Sequence, residues 1–303
     1  MTAAIIRVEN LEHTYMEGTP FSTKALHGVN LEVMEGEILG IVGPAQSGKS
    51  TLIQYFNGLF IPKPPGRVVV DGIDTSAKGA DMKALRQKVG LVFQYPEQQL
   101  FRETVGLDVA FGPECLKLPK DEIAERVRTA LRQVGLDPDV FYNRYVFALS
   151  GGQKRRAAIA GVLALGPKVM VFDDPTAGLD PRGRQEILDT IASLHARHNL
   201  TVVFVSNSLE DVFRLVDRVA VLDRGRVAVV GRPREVFSDV LLLSRVGLGL
   251  MQTVEVLEEL RRRGWDVDLT AISVEDAAAQ IARAYAARSG DRVGKGAGTH
   301  GTL

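Results

Sequence analysis

Cysteine is almost missing from this chain of 303 residues. Cys115 stands alone, which excludes an internal disulfide framework and any zinc cluster built on cysteine. Histidine is sparse too: His13, His27, His195, His198 and His300 form no compact metal-ligand motif. His195 and His198 share a polar segment with Arg197, the pattern of a solvated helix face. No stretch of about 18 consecutive apolar residues occurs, so nothing here is long enough to cross a bilayer as a helix. The first apolar residues, Ile5 to Val8, read as a strand rather than as part of a signal peptide. Neither sign of charge is in excess, because 37 Lys and Arg balance 37 Asp and Glu. That balance argues against a general nucleic-acid binder, which normally carries a basic field. What is present is the composition of a folded protein, 45% apolar and long enough for about two domains.

Short apolar runs alternate with helix-like periodicity through most of the chain. Residues 37–43 read as a buried strand ending on glycine, and 89–93, 169–172 and 202–205 as three more. A helix is expected from Gly48, with Leu52, Ile53, Phe56, Leu59 and Phe60 at helical spacing, until Pro62, Pro64 and Pro65 stop it. Arg67 to Val70 reads as a strand turned at Asp71-Gly72, and Arg218 to Gly231 as a hairpin turned at Arg224-Gly225. Between about 95 and 155 the strand signals give way to a helical insert. Strands alternating with helices predict an α/β sheet covered on both faces. This first domain is expected over 1–238, with a helical extension over 239–286. In the extension Leu250, Met251, Val254 and Leu257 share one face, open either to pairing with another chain or to packing back on this one. Ser273 and Asp276 form a capping-box pattern ahead of an apolar face of Val274, Ala278, Ile281 and Tyr285. Residues 287–303 hold five glycines and little to bury, the composition of a disordered tail.

Gly43-Pro44-Ala45-Gln46-Ser47-Gly48-Lys49-Ser50-Thr51 matches G-x(4)-G-K-[ST] between a predicted strand and a predicted helix, the context the pattern requires. Loop N–H groups and the helix start can wrap a phosphate. Lys49 supplies a cation for the β and γ phosphates, and the Ser50 hydroxyl suits Mg²⁺. Asp173, ending the 169–172 strand with Asp174 beside it, is placed to hold Mg²⁺ or its water. The G-x-G-x-x-G of a dinucleotide oxidoreductase is absent from this loop. Leu149-Ser150-Gly151-Gly152-Gln153 offers a second anion-binding arrangement, a hydroxyl and two glycines at a helix start. A head-to-tail pair of such chains would place ATP between the phosphate loop of one and this string of the other. The run Lys154-Arg155-Arg156 fits two roles equally, stabilising the phosphate end or covering the surface.

In this order the strings resemble the ATP-binding-cassette (ABC) superfamily, whose signature Leu149 to Gln153 matches. The resemblance implies an α/β P-loop NTPase fold: an ABC nucleotide-binding domain with a helical insert and a small helical C-terminal extension. It implies ATP and Mg²⁺ as cofactors, with Tyr15 stacked on adenine. Gln94 would approach the Mg²⁺ and the catalytic water while signalling to a transport partner, and Ala177-Gly178-Leu179-Asp180 would cross to the paired domain. Within the superfamily, four strings are most similar to the ATPase subunits of energy-coupling-factor transporters, importers of vitamins, cobalt or nickel. They are Phe93 to Glu97, Asp108 to Pro113, Leu149 to Arg156 and Pro175 to Pro181. The likeness covers roughly residues 5–285. It implies a second ABC ATPase subunit, a transmembrane coupling protein and a membrane protein that captures the substrate, with no nucleic acid. It also implies a peripheral place on the cytoplasmic face of the cell membrane, with Tyr95 to Phe101 docking a coupling helix.

Three positions depart from that family's pattern. Gln46 stands where glycine is usual, and a side chain there is expected to crowd the loop or alter its dihedral freedom. Asp174 replaces the glutamate that orients or deprotonates the attacking water, and is one carbon–carbon bond shorter, about 1.5 Å. Misplacement of about 1 Å can cost about 10²-fold in rate. Asn207 replaces a histidine that contacts the γ-phosphate; its amide donates a hydrogen bond but carries no charge. The candidate catalytic residues are therefore Asp174, Gln94, Asn207 and Lys49, and the candidate metal ligands Ser50, Gln94 and Asp173. Together the departures imply a weakened site on this chain's own loop and an intact signature for a partner's site. That favours a heterodimer over an active homodimer. Two other functions compete. A soluble ABC protein of DNA repair, chromosome organisation or translation needs long insertions or two cassettes, whereas only 55 residues separate Gln94 from Ser150. A non-catalytic ATP-dependent dimerisation or regulatory module is favoured by the same three departures.

Overall fold

A computed structural model describes residues 3–295, and the chain divides into two units, Met1–Val230 and Gly231–Leu303. In the first unit, β1 (Ala4–Tyr15), β2 (Thr23–Met34), β4 (Arg67–Val70) and β5 (Ile73–Asp74) form an antiparallel sheet in the order β2-β1-β4-β5. A second sheet has six strands in the order β10-β9-β3-β8-β7-β6. These are β3 (Ile38–Val42), β6 (Val89–Val92), β7 (Val169–Asp173), β8 (Thr201–Val205), β9 (Arg218–Asp223) and β10 (Arg226–Gly231). Strands β3, β6 and β8 are buried at every position, which is why they read as unbroken apolar runs: a parallel sheet is covered on both faces. Its parallel register aligns Ile41 with Val205, Val205 with Asp173, and Phe172 with Val92. One hydrophobic cluster joins the two sheets, bringing Ile6, Val8 and Leu26 together with Leu52, Phe56, Val171 and Val203.

The helix after β3 is shorter than its spacing predicts. Regular helix covers only Lys49–Ile53, and tighter turns follow, with the amides of Tyr55 and Phe56 donating to Leu52 and Ile53. Gly58 ends the run in the left-handed region at φ 68°, against Met82 and Leu85, and Leu59 is exposed. The helical insert comprises Val105–Cys115, Lys120–Gln133, Pro138–Phe141 and Gly151–Leu163. Its last helix runs eight residues beyond the expected end because Ala157, Ile159 and Ala160 continue a buried face.

The second unit contains helices Pro233–Ser238, Val240–Arg245, Gln252–Arg262 and Val274–Lys295. It begins at Gly231, ahead of the expected 238/239 boundary, because Pro233 opens a helix directly after the β10 strand. Leu257, Val267, Leu269, Ala271, Ala277 and Ala284 form its own core. Met251, Val254 and Leu257 are buried within the single chain and so present no open face for pairing. Ser273 does cap the last helix, accepting from the Asp276 amide at 3.0 Å. The apolar face is rotated from the expected one, however. Ala277 and Ala284 are buried with Ile281 beside them, while Val274 and Tyr285 are exposed. That helix continues to Lys295, into the segment expected to be disordered, since each added residue of a nucleated helix gains one backbone bond. Residues 296–303 of the expected tail lie outside the described residues. Among the described residues no helix is long and apolar enough to cross a membrane.

Candidate nucleotide-binding site

The carboxyl ends of the parallel strands gather most of the candidate residues. The 43–48 loop follows β3, Gln94 follows β6, Asp173 and Asp174 end β7, and Asn207 follows β8. Register puts these ends level, so the residues share one edge of the sheet, the edge at which open α/β sheets bind ligands.

Within the loop, Lys49 Nζ donates to the carbonyls of Gly43 at 2.7 Å and Pro44 at 2.9 Å. Burial holds its pKa below the usual lysine value, against the pull of Asp173 and Asp174. Ser47 Oγ is buried with no hydrogen-bond partner, a polar atom that a ligand oxygen would satisfy. Gly48 initiates the helix at φ 100°, where a Cβ would lie 2.8 Å from the Ala25 carbonyl oxygen. Gln46 is exposed, so its side chain does not crowd the loop as expected. Its backbone carries the consequence instead: φ is 64°, a left-handed conformation that costs a non-glycine residue about 1–3 kcal/mol.

Burial raises the pKa of Asp173, with the Ser50 hydroxyl opposing the rise through a hydrogen bond. Asp174 is likewise raised by burial, opposed by the Asn207 amide and by Lys49. Asn207 Nδ2 donates to Asp174 Oδ2 at 2.9 Å, and Asp174 itself sits at φ 48°. Among the described residues no group of three or more His, Cys, Asp or Glu could hold a metal ion. A hydroxyl paired with one carboxylate is instead the hard-oxygen set that Mg²⁺ uses when phosphates complete its shell.

Tyr15 closes the other side of the phosphate-loop helix. Its hydroxyl lies 2.9 Å from Thr51 Oγ1, and His13 packs edge-on against its ring at 4.3 Å. The Thr51 contact was not legible in the strand pattern, because it joins β1 to the helix after β3, whereas His13 and Tyr15 are two residues apart on β1 itself.

Ser150 caps Gly151–Leu163 in a full capping box: it accepts from the Gln153 amide at 3.3 Å, and its own amide donates to Gln153 Oε1 at 3.0 Å. A Cβ added at Gly151 or Gly152 would meet nothing within 4 Å. Among the described residues no hydrogen bond joins this helix start to residues 43–51, so the two phosphate-binding strings do not meet in one chain. The basic run divides. Lys154 lies over the Phe147 ring, Arg155 is fully buried, and Arg156 reaches Glu186 at 3.7 Å, so Arg155 fits neither expected role. Sequence reasoning also missed a network behind Asn207. Asp211, buried, accepts from Arg184 Nε at 2.8 Å and Thr176 Oγ1 at 2.9 Å, and Arg184 also bonds Ser208, the cap of the helix after Asn207.

A nucleoside-triphosphate loop at the carboxyl edge of a parallel sheet, an acidic strand end beside it, and an inserted helical segment headed by Ser-Gly-Gly define an ATP-binding cassette. The ABC transporter family model matches residues 26–177. Similarity continues well beyond that segment. The energy-coupling factor transporter ATP-binding protein EcfA2 of Symbiobacterium thermophilum is 50% identical over 282 residues, 93% of this chain and 97% of that protein. A solved structure of cbiO1 from Clostridium perfringens, part of the ABC transporter complex cbiONQ, is 40% identical with a TM-score of 0.71, covering 84% of this chain and 99% of that one. The ATP-binding cassette MJ0796, a dimer bound to ADP and Pi, matches at 31% identity and TM-score 0.66 over 75% of this chain and 98% of that one. The chain belongs to the ATP-binding proteins of energy-coupling factor transporters, and is a P-loop ATPase.

Proposed function

We propose that this chain is one of two paired ATPase subunits beneath a transmembrane coupling protein, and that the pair drives uptake of a vitamin or a transition-metal ion captured by a separate membrane protein. The observation that carries the reading is the Ser150-Gly151-Gly152 helix start, exposed at Ser150 and Gly151 and with open space at both glycines, which this chain's own phosphate loop leaves unused. Two such halves complement each other only between chains. The complex named for the cbiO1 relative supports a multisubunit assembly. ATP and a membrane partner together place the chain peripherally on the cytoplasmic face of the cell membrane.

Residues Tyr95 to Phe101 supply the docking surface. Asp108 accepts from the amides of Phe101 and Arg102 at 2.9 Å each, which pins the segment, and Phe101 packs edge-to-face on Phe111 at 5.0 Å. A groove of about 540 Å³ bordered by Phe101, Phe111, Cys115 and Leu165 lies beside it, suited to an amphipathic helix.

In the ATP site, Tyr15 takes the base and the loop amides wrap the phosphates. Lys49 exchanges its two loop carbonyls for phosphate oxygens, and Ser47 Oγ gains a partner. Mg²⁺, held by Ser50, Gln94 and Asp173, would neutralise charge on the β and γ phosphates. Asp174 aligns the attacking water and accepts its proton as the water oxygen bonds to the γ phosphorus and ADP leaves. On this chain's own loop that step is slow, because Asp174 is short and already bonded to Asn207. The Ser150 surface then completes a faster site on a second, different cassette. Purification with native partners, followed by Mg-ATP hydrolysis assays, tests the reading. Absence of a second cassette from the assembly would overturn the heterodimer, and rapid turnover by the isolated chain would overturn the weakened site.

A further inference from the structure

We infer that Arg155 is a positioning residue that clamps the membrane-facing segment 95–97 to the 175–177 segment, so that both move with the Gly151–Leu163 helix as one body. The inference rests on the transport-ATPase reading above for its functional consequence. Its basis is geometric. Arg155 is 2% exposed, and four hydrogen bonds engage all three of its guanidinium nitrogens. Nε and Nη2 grip the Glu97 carboxylate at 3.0 and 2.8 Å, the bidentate geometry that a guanidinium fork matches. Nη1 donates to the carbonyls of Pro175 at 2.8 Å and Ala177 at 2.9 Å. Burial pushes the Glu97 carboxyl up, but Arg155 and the surrounding hydrogen bonds hold it below the ordinary glutamate value. Tyr95 closes the arrangement from the third side. Its ring lies 5.9 Å from the guanidinium and 3.4 Å from where a Cβ on Gly178 would stand.

A guanidinium in the core is a costly way to fill space, because a packed apolar side chain serves stability as well or better. What an apolar side chain cannot do is hold two loops in fixed register to one helix. Each loop here leads to a different interface of the proposed assembly: 95–101 to the membrane partner, 177–180 to the paired cassette.

The test separates clamping from packing. In R155M/E97L the buried ion pair is replaced by apolar side chains, which is expected to preserve folding, with a melting midpoint near the wild type. In the assembly purified with its native partners, this variant should keep KM for ATP within about twofold while kcat falls at least about fivefold, a loss of roughly 1 kcal/mol in barrier terms. In the isolated chain, hydrogen exchange is measured with and without Mg-ATP. Wild type should change protection at 95–101 and 175–180 together, and the variant at 175–180 alone. R155K keeps the charge but loses the fork, and should lose kcat likewise, which keeps the test valid should the double variant not fold. Wild-type kcat in either folded variant, or linked protection in R155M/E97L, overturns the clamp. If the wild-type assembly hydrolyses no ATP, the transport reading fails, while the exchange measurement still decides the clamp.

Discussion

Asn207 and Asp174, two of the three positions that the resemblance marks as departures, are bonded to each other, amide to carboxylate at 2.9 Å. The carboxylate proposed to align the attacking water is thus held by a neutral neighbour, on a side chain one carbon–carbon bond shorter than glutamate. Restoring both positions with D174E/N207H is expected to raise hydrolysis at this chain's own site by about 10²-fold. Either single change should recover much less, because groups in direct contact do not add. Single-turnover assays with the partner's phosphate-loop lysine replaced isolate the site.

Asp173 and Asp174 both have pKa values raised by burial. A carboxyl raised in the folded state binds its proton more tightly there than in the unfolded chain. That contribution to stability is complete below the unfolded value and is lost as pH rises through the folded value. D174N, neutral at every pH, should therefore raise the melting midpoint of the ligand-free protein at about pH 7, with the gain fading toward about pH 4. Melting curves across that range check it; a gain that grows on acidification would contradict the sign.

Tyr15 is anchored by Thr51 at 2.9 Å and braced by His13. Y15A removes the ring proposed to stack on the base, an interaction of about 1 kcal/mol, and should weaken ATP binding roughly five- to tenfold. Affinity for tripolyphosphate, which has no base, should stay near wild type. Y15F keeps the ring but not its anchor and should fall between. Calorimetric titration distinguishes the three.

Gly152 lies near the start of a helix with open space around it. G152A should stabilise the isolated chain by up to about 1 kcal/mol through helix propensity. Because the added methyl occupies the surface proposed to receive the partner's nucleotide, ATP-dependent pairing should fall steeply. Opposite signs for melting and association are the expected result.

Gln46 is strained rather than crowded, with φ at 64° and its side chain in solvent. Q46G relieves the left-handed penalty but adds freedom to the unfolded chain, about 0.5–1 kcal/mol. The balance predicts a gain of roughly 1 kcal/mol, a rise in melting midpoint of about 2–4 °C. Differential scanning calorimetry measures it directly.

How far the sequence could be read depended on whether a residue's role was local. Residues 43–51, Ser150–Gln153 and Asp173 announce themselves because a phosphate loop, a helix cap and a strand end are each made by consecutive residues. The helix after β3 was overextended because its apolar spacing continues past Ile53, whereas the left-handed turn at Gly58 depends on Met82 and Leu85, distant in sequence. Arg155 read as one cation in a basic run. Its partners are the Glu97 carboxylate, 58 residues earlier, and the backbone carbonyls of Pro175 and Ala177, 20 and 22 residues later.

Order and chemistry along the chain determined the family, the phosphate loop, the signature helix and the three departures, since each is a matter of residue type at short range. Tertiary structure alone decided that Asn207 takes up Asp174, that Thr51 steadies Tyr15, and that Arg155 joins two loops. Hydrogen bonds between side chains far apart in sequence follow no period. They exist only once the sheet has brought its strand ends level.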